Sequence, residues 1–214
     1  MASKIEICNL AVQNLGGNYI TSLSEGSEVA IECNLRYDTA RRALLGMHLW
    51  NFATRRAALN RDTSTPAFNY SYQFTLPSDF LYMVMTGTEE ASQGSLGIYT
   101  PLNPTITGFM GRNLTDKYRI ESASDGLKLL SNSSDVNIIY IADITDTNLF
   151  SPTFTDLMAR YLSMLIAYKV TGNSGERDKQ YTMFQKEFED YQSIDSQQGV
   201  FDKIDRSEFL LARL

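Results

Sequence analysis

The spacing of apolar residues changes twice along the chain, from a helical period to strict alternation and back. Residues 3–15 have the helical period and are followed by Gly16–Gly17, which predicts a first helix that ends on a glycine. A second helix is predicted to begin after Ser27 and to end near His48 to Asn51. Its apolar positions recur at every third or fourth residue: Ala30, Cys33, Tyr37, Ala40, Leu44 and Met47.

The middle of the chain, residues 52–145, loses the helical period and is rich in turn-forming residues. Apolar and polar residues alternate over residues 68–76, which predicts an antiparallel strand. Residues 118–130 predict a hairpin around Ser124–Gly126, and residues 136–144 predict a third strand of the same meander. This part of the chain is therefore expected to form a β-rich region.

Helical spacing returns at Ser151–Pro152, where a capping residue precedes a proline at the first helical position. This third helix is expected to end at Gly172, and a fourth helix follows with Asn173 and Glu176 at the spacing of a capping box. The apolar faces of the two helices are Phe154, Leu157, Met158, Tyr161, Leu162, Leu165 and Ile166, then Tyr181, Phe184, Phe188 and Tyr191. Each predicted helix must bury its apolar side against another element.

These elements predict an α+β fold, namely a four-helix bundle with an inserted antiparallel β-rich region and an extended C-terminal arm. The bundle is predicted to comprise residues 1–51 and 147–198, and the β-rich insert residues 52–146. A polar linker at residues 193–198 is expected to precede the arm, residues 199–214. The glycine- and proline-rich stretch from Thr86 to Asn113 is expected to be a loop with one strand near Ile98.

Composition limits the classes of protein that this chain can represent. Its 214 residues are 43% hydrophobic and 21% charged, as in a globular protein that folds without disulfides or metals. One histidine and two cysteines are too few for a multi-ligand metal site or a disulfide framework, so we expect no cofactor. The net charge of −6 argues against a protein that holds nucleic acid by neutralising phosphates.

The N-terminal sequence has no secretory signal, which predicts synthesis in a reducing cytoplasm. The longest apolar run, Phe80 to Met85, is far shorter than the about 20 residues of a membrane-spanning helix. We therefore expect no membrane anchoring.

Structural roles explain the residues with reactive side chains better than catalytic roles do. His48, Trp50 and Phe52 lie where the second helix meets the β-rich region, and no motif places a nucleophile and an acid beside the histidine. We predict that these three residues form a structural hinge packed by aromatic rings. Cys8 and Cys33 lie on apolar helical faces and are predicted to be buried core residues.

Arginines near this junction raise the possibility of a nucleic-acid patch: Arg41, Arg42, Arg55, Arg56 and Arg61. However, Arg55 and Arg56 are adjacent on a predicted strand and must point to opposite faces, and Asp38 lies one helical turn before Arg42. We predict instead that Arg41 and Arg56 form salt bridges between subunits.

Two acid pairs, Glu25/Glu28 and Asp143/Asp146, keep a glycoside hydrolase open as an alternative, since such enzymes use two carboxylates about 5 to 10 Å apart. These acids lie in predicted turns and helix starts, where backbone N–H groups alone favour a carboxylate. A structural role is therefore the preferred interpretation.

Several sequence strings occur in a familiar order along residues 3–190. They are NLAVQNLG (9–16), YDTARRALL (37–45), WNFATRRAAL (50–59), FTLPSDF (74–80), YRIE (118–121) and the segment 146–172. Together they resemble the tail tubular protein A family, the head-to-tail adaptors of short-tailed bacteriophages.

The resemblance implies a structural virion protein without enzymatic activity, located in the neck and assembled in the cytoplasm of the bacterial host. It implies a closed, dodecameric ring between the portal protein and the tail nozzle protein, through which genomic DNA passes without specific binding. By the same resemblance, the C-terminal arm reaches the portal through the apolar residues Phe201, Ile204, Phe209, Leu210 and Leu211. The alternative is an arm that folds back on its own or a neighbouring subunit. The alternative functions are a cell-wall-degrading tail enzyme and a DNA-binding scaffold.

Overall fold

The computed structural model describes residues 2–87 and 118–198. The expected strand near Ile98 and most of the predicted loop lie outside these residues. So does the predicted C-terminal arm with its apolar residues.

Four α-helices form within residues 2–87 and 118–198, and local capping explains where three of them begin. Their bounds are α1 Lys4–Gln13, α2 Glu28–Met47, α3 Pro152–Thr171 and α4 Ser174–Ser196. Ser3 and Glu6 make a reciprocal capping box at the start of α1, and Ser27 and Ser151 cap α2 and α3. Gly172 ends α3 with φ 67°, a left-handed conformation that glycine adopts without steric cost. The predicted caps Ser27 and Ser151 and the predicted end at Gly172 are confirmed. Helix α1 ends at Gln13, two residues earlier than the predicted Leu15, with Asn14 as its C-cap.

The fourth helix differs from its prediction at both ends. Asn173 caps α4, but Glu176 accepts a hydrogen bond from Gln180 Nε2 at 2.9 Å, and the helix has no reciprocal capping box. The expected linker at residues 193–198 is also wrong, because α4 continues to Ser196. The hydroxyl groups of Ser193 and Ser196 donate to backbone carbonyls one turn earlier, so polar residues are accommodated within the helix.

In the described part of the chain, six strands form two three-stranded antiparallel sheets. The strands are β1 Thr54–Leu59, β2 Tyr72–Thr75, β3 Phe80–Gly87, β4 Tyr118–Ala123, β5 Gly126–Ser131 and β6 Val136–Ala142. One sheet has the order β1-β6-β3 and the other has the order β2-β5-β4. A single β-bridge between Arg61 and Phe74 connects the segment after β1 to β2. The described residues thus have a mixed α+β fold, as the sequence predicted.

Two strand predictions need correction. The strand expected over residues 68–76 covers only Tyr72–Thr75, because Asn69 has φ 68° and interrupts the extended chain, leaving Phe68 75% exposed. The predicted hairpin is confirmed, with Ala123 paired to Gly126 across a two-residue turn. The prediction that residues 136–144 form the third strand of this meander is wrong. Strand β5 pairs with β2 and β4, whereas β6 lies in the other sheet between β1 and β3.

The core is one contiguous cluster that includes side chains from all four helices and from the sheets. Helix α3 packs against α1, α2 and α4. Cys8 and Cys33 are fully buried, as predicted, and the predicted apolar face of α2 is buried except for Met47, which is 41% exposed. Within the described residues, no helix has the length and hydropathy required to cross a membrane.

Helix α2 comes very close to β3 near its C-terminal end. Gly46 faces the ring of Tyr82, and a Cβ atom at this position would overlap the ring carbons. The absence of a side chain at Gly46 is therefore what allows helix and sheet to approach here.

Candidate functional site

The residues between α2 and β1 pack into an aromatic cluster. The Trp50 side chain is fully buried, and its indole N–H donates a 3.0 Å hydrogen bond to the carbonyl of Leu44. Trp50 and Phe52 both make edge-on contacts with Phe154 of α3, at ring-centroid distances of 5.2 and 4.8 Å. His48, Trp50 and Phe52 thus lie at the boundary between helices and strands, and their action as a hinge stays a prediction.

The end of α4 is fastened to this junction by Asp195, a residue that the sequence analysis did not single out. Its carboxylate is 3% exposed and accepts hydrogen bonds from the backbone N–H and the side-chain amide of Asn51, at 3.1 and 3.2 Å. The same amide donates to the Asp195 carbonyl at 2.6 Å. Asp195 lies within a polar stretch of sequence, and the spacing of apolar residues does not predict that a single acid in such a stretch is buried.

His48 lies beside Asp195 in a geometry unlike that of a catalytic dyad. Its Nε2 atom is 3.3 Å from Asp195 Oδ2, yet the two groups are not aligned as a hydrogen bond, and the imidazole packs edge-on against Trp50 at 4.8 Å. A catalytic histidine needs a hydrogen-bonded partner that orients it towards a nucleophile. The arrangement fits a packing role for His48.

Arg41 connects α2 to the end of β6. Its guanidinium group is 3% exposed and donates hydrogen bonds to the Asp143 carboxylate and, at 2.8 Å, to the carbonyl of Ile144. Asp38 pairs with Arg41 rather than with Arg42, which instead donates to Asp143 at 2.8 Å. Because Arg41 is engaged within its own chain, it is not exposed for the subunit contact that the sequence analysis expected.

The electrostatics of this cluster keep Asp143 ionised. Burial alone would raise the pKa of the Asp143 carboxyl, but the hydrogen bonds and positive charges of Arg41 and Arg42 outweigh burial and lower it. Such a carboxylate is a permanent anion at neutral pH and is unsuited to the role of general acid.

The arginines of β1 and of the segment after it do not form one patch, because Arg55 and Arg61 each contact a different partner. Arg55 pairs with Asp79, and the guanidinium of Arg61 lies 5.1 Å from the centre of the Tyr72 ring. Arg56 is exposed on β1 and forms no ion pair with any residue in 2–87 or 118–198. Its role between subunits stays a prediction.

The remaining candidate acids stabilise local structure. Glu25 accepts hydrogen bonds from the hydroxyl of Ser27 and from the hydroxyl and backbone N–H of Thr21, which lower its pKa to about 2. Glu28 pairs with Lys169 at 3.2 Å, and Asp146 caps the short 3-10 helix that precedes α3. A glycosidase requires one carboxyl with a raised pKa, whereas Glu25 and Asp143 have lowered values.

A second polar cluster, also missed by the sequence analysis, surrounds Lys128 on β5. The ammonium group is 2.7 Å from Asp62, Asp125 and the Thr75 hydroxyl, and the two carboxylates raise the pKa of the lysine. All three N–H donors of Lys128 therefore have an acceptor. The cluster fastens the turn at residue 125 and the segment before β2 to β5, and it leaves the lysine no donor for a substrate.

Apolar side chains on the outer surface are the remaining candidate for a function. Ile31 and Leu35 lie one turn apart on the outer side of α2 and are 57% and 66% exposed. Tyr19, Phe68 and Tyr168 are also more than half exposed. The helical pattern assigned the buried side of α2 correctly, but it did not mark Ile31 and Leu35 as a second, outward-facing apolar pair.

No protein-family model matches the chain, and no curated protein matches it either.

Proposed function

We propose that this chain is a structural virion protein, a subunit of the head-to-tail adaptor ring between the portal and the tail nozzle of a short-tailed bacteriophage. The proposal is supported by the order of the sequence strings that resemble the adaptor family. It is also supported by the engagement of Arg41, Asp143 and Lys128 in contacts within the chain. Because these charged groups contact partners within the chain, they stabilise the fold. Contacts with other proteins would then be made by other residues on the surface.

The outward-facing pair Ile31 and Leu35 is the observation that carries the proposal. Burying one such side chain contributes about 1.5 to 3 kcal/mol, and a ring repeats every contact around its axis. Exposed apolar residues that adjoin one another on a helix are typical of surfaces that bind another protein. In the proposed ring, this side of α2 contacts the neighbouring subunit.

The finer architecture also belongs to the proposal. Helices α1 to α4 act as a four-helix bundle centred on α3, the two sheets act as an insert, and residues 199–214 act as an arm that binds the portal. The contact between Asp195 and Asn51 supports this arrangement, because it fixes the chain close to where the arm begins.

The charge of the chain suits a passage for DNA. Each subunit contributes a net charge of −6, so a ring concentrates negative charge around its axis. Phosphates then find few cations to neutralise them, and the genome can slide without being held.

The decisive experiment is a measurement of assembly. Purified protein is examined by native mass spectrometry and sedimentation velocity, alone and with isolated portal rings. We expect a closed ring when the portal is present. The double variant Ile31→Glu/Leu35→Glu is expected to remain folded, since both side chains are exposed, and to lose the ring.

A matched control adds the same two negative charges elsewhere on the surface. Thr182 and Gln185 are exposed on α4, so Thr182→Glu/Gln185→Glu changes the net charge equally and is expected to assemble normally. A wild-type protein that stays monomeric beside the portal at high concentration, or equal assembly of both double variants, would contradict the proposal.

The arm is tested by removing residues 199–214, which leaves every described helix and strand in place. We expect unchanged helical circular dichroism and weaker co-sedimentation with portal rings. Capture at wild-type strength would show that the arm does not bind the portal.

A further inference from the structure

The two cysteines lie opposite one another on neighbouring helices. Lys4 of α1 is 3.4 Å from Asn34 Oδ1 and 3.5 Å from Asp38 Oδ2 of α2, which fixes how the two helices are aligned. Cys8 follows Lys4 by one helical turn, and this alignment brings it to Cys33. Both residues are fully buried in the same core cluster, and the interaction between their thiols raises the pKa of Cys8.

A third polar group completes this site. Tyr37 lies one turn beyond Cys33 and is 2% exposed, and its hydroxyl has no hydrogen-bond partner among the described residues. A buried hydroxyl without a partner is costly, because water is lost and nothing replaces it. Lys4 lies over the ring of the same tyrosine, with its ammonium 4.7 Å from the ring centre.

These groups have a chemical use. A thiolate is the reactive form of cysteine, and it accepts hydrogen bonds much more readily than a thiol does. The contact with Cys8 lowers the pKa of the Cys33 thiol, so Cys33 is the better nucleophile of the pair. Tyr37, whose hydroxyl has no partner among the described residues, lies one turn away on the same helix. Both thiols are fully buried at rest, so reaction awaits a local opening of the short helix α1, which uncovers Cys33 while Tyr37 stays beside it on α2.

We propose that Cys8 and Cys33 are a redox pair that closes into an intramolecular disulfide joining α1 to α2. The oxidant is a small disulfide such as oxidised glutathione. The Cys33 thiolate attacks one of its sulfur atoms and releases one glutathione, and Cys8 then attacks the resulting mixed disulfide and releases the second. Two S–H bonds are lost, one S–S bond forms, and two electrons and two protons reduce the oxidant to two thiols.

The proposal is independent of the adaptor function. A bond between Cys8 and Cys33 closes a loop through residues 9–32 and secures the N-terminal helix of the chain. The pair stays open in a reducing compartment and closes where disulfides persist.

The test measures the equilibrium constant for disulfide formation, because burial of the thiols slows the reaction but does not change its equilibrium measurement. Full-length protein is equilibrated with defined ratios of reduced and oxidised glutathione, once in buffer and once in concentrated urea. The mixtures are then quenched with acid and alkylated, and free thiols are counted by mass spectrometry. If the fold aligns the two sulfur atoms, the equilibrium constant for the disulfide is expected to be at least about tenfold higher in the folded protein.

The controls separate the pair from other thiol chemistry. Cys8→Ser and Cys33→Ser are each expected to retain one thiol or to form a glutathione adduct, without the loss of two mass units that marks an internal disulfide. Tyr37→Phe is expected to leave the equilibrium constant nearly unchanged and to slow its approach to equilibrium. A constant in the folded wild-type protein that is no higher than in urea would overturn the proposal.

Discussion

The contact between the end of α4 and the segment after α2 yields a sharp test of the fold. Asp195 accepts two hydrogen bonds from Asn51, and its carboxylate is almost completely buried. The substitution Asp195→Ala removes this acceptor and leaves the backbone N–H of Asn51 without a partner. The carbonyl of residue 195 still accepts from the Asn51 amide, so one of the three hydrogen bonds remains.

The expected loss follows from the burial of these groups. A hydrogen bond to a charged acceptor contributes about 1.5 to 3 kcal/mol, and a buried donor left unpaired costs about 1 to 3 kcal/mol. Because these effects overlap, Asp195→Ala is expected to lower the free energy of unfolding by about 2 to 4 kcal/mol. Asp195→Asn retains an oxygen that can accept the backbone N–H of Asn51, and about half of that loss is expected.

The assay is urea unfolding followed by circular dichroism and by the fluorescence of Trp50, which is buried near the contact. Asp190 is an exposed acid on the same helix, and Asp190→Ala is expected to change stability by less than about 0.5 kcal/mol. A change of that small size in Asp195→Ala would refute the assignment of Asp195 as the residue that fastens α4.

Three further predictions concern packing and pH. Gly46→Ala is expected to lower the urea midpoint, since overlap with Tyr82 costs about 1 to 3 kcal/mol against a helix-propensity gain of about 1, and the added substitution Tyr82→Ala is expected to restore it. The pKa of Glu25 is below its ordinary 4.5, so its stabilising effect is present above pH 4.5 and lost towards pH 2. The difference in melting temperature between wild type and Glu25→Gln is therefore expected to shrink over that range. Leu44→Asp places an unpaired charge in the core and is expected to abolish soluble expression, and normal yield would contradict it.

The elements that the sequence predicted well are those set by local interactions. The caps Ser27 and Ser151 and the turn at Gly126 act within a few residues, so the sequence contains the whole cause. Strand pairing is different, since the partners of β6 are chosen by which strand edges are already occupied. A hydrophobic pattern cannot report that choice, and the predicted meander was wrong for this reason.

In the candidate site, too, features set by local spacing were predicted and contacts between distant residues were not. Burial of Cys8 and Cys33 followed from helical spacing, and it is confirmed. The partners of Arg41 and Asp195 lie about a hundred residues or more away in sequence, at Asp143 and Asn51. Such pairs depend on the finished fold, which periodicity along one segment does not specify.

The pairing of β1 with β6 has a consequence for synthesis on the ribosome. At about 5 to 20 residues per second, β6 emerges on the order of ten seconds after β1. Helix α3, which covers the apolar sides of α1 and α2, emerges later still. During that interval the nascent chain carries two uncovered amphipathic helices and the unpaired strands β1 and β3, so we expect its yield to rise with chaperone supply and with slower translation at low temperature.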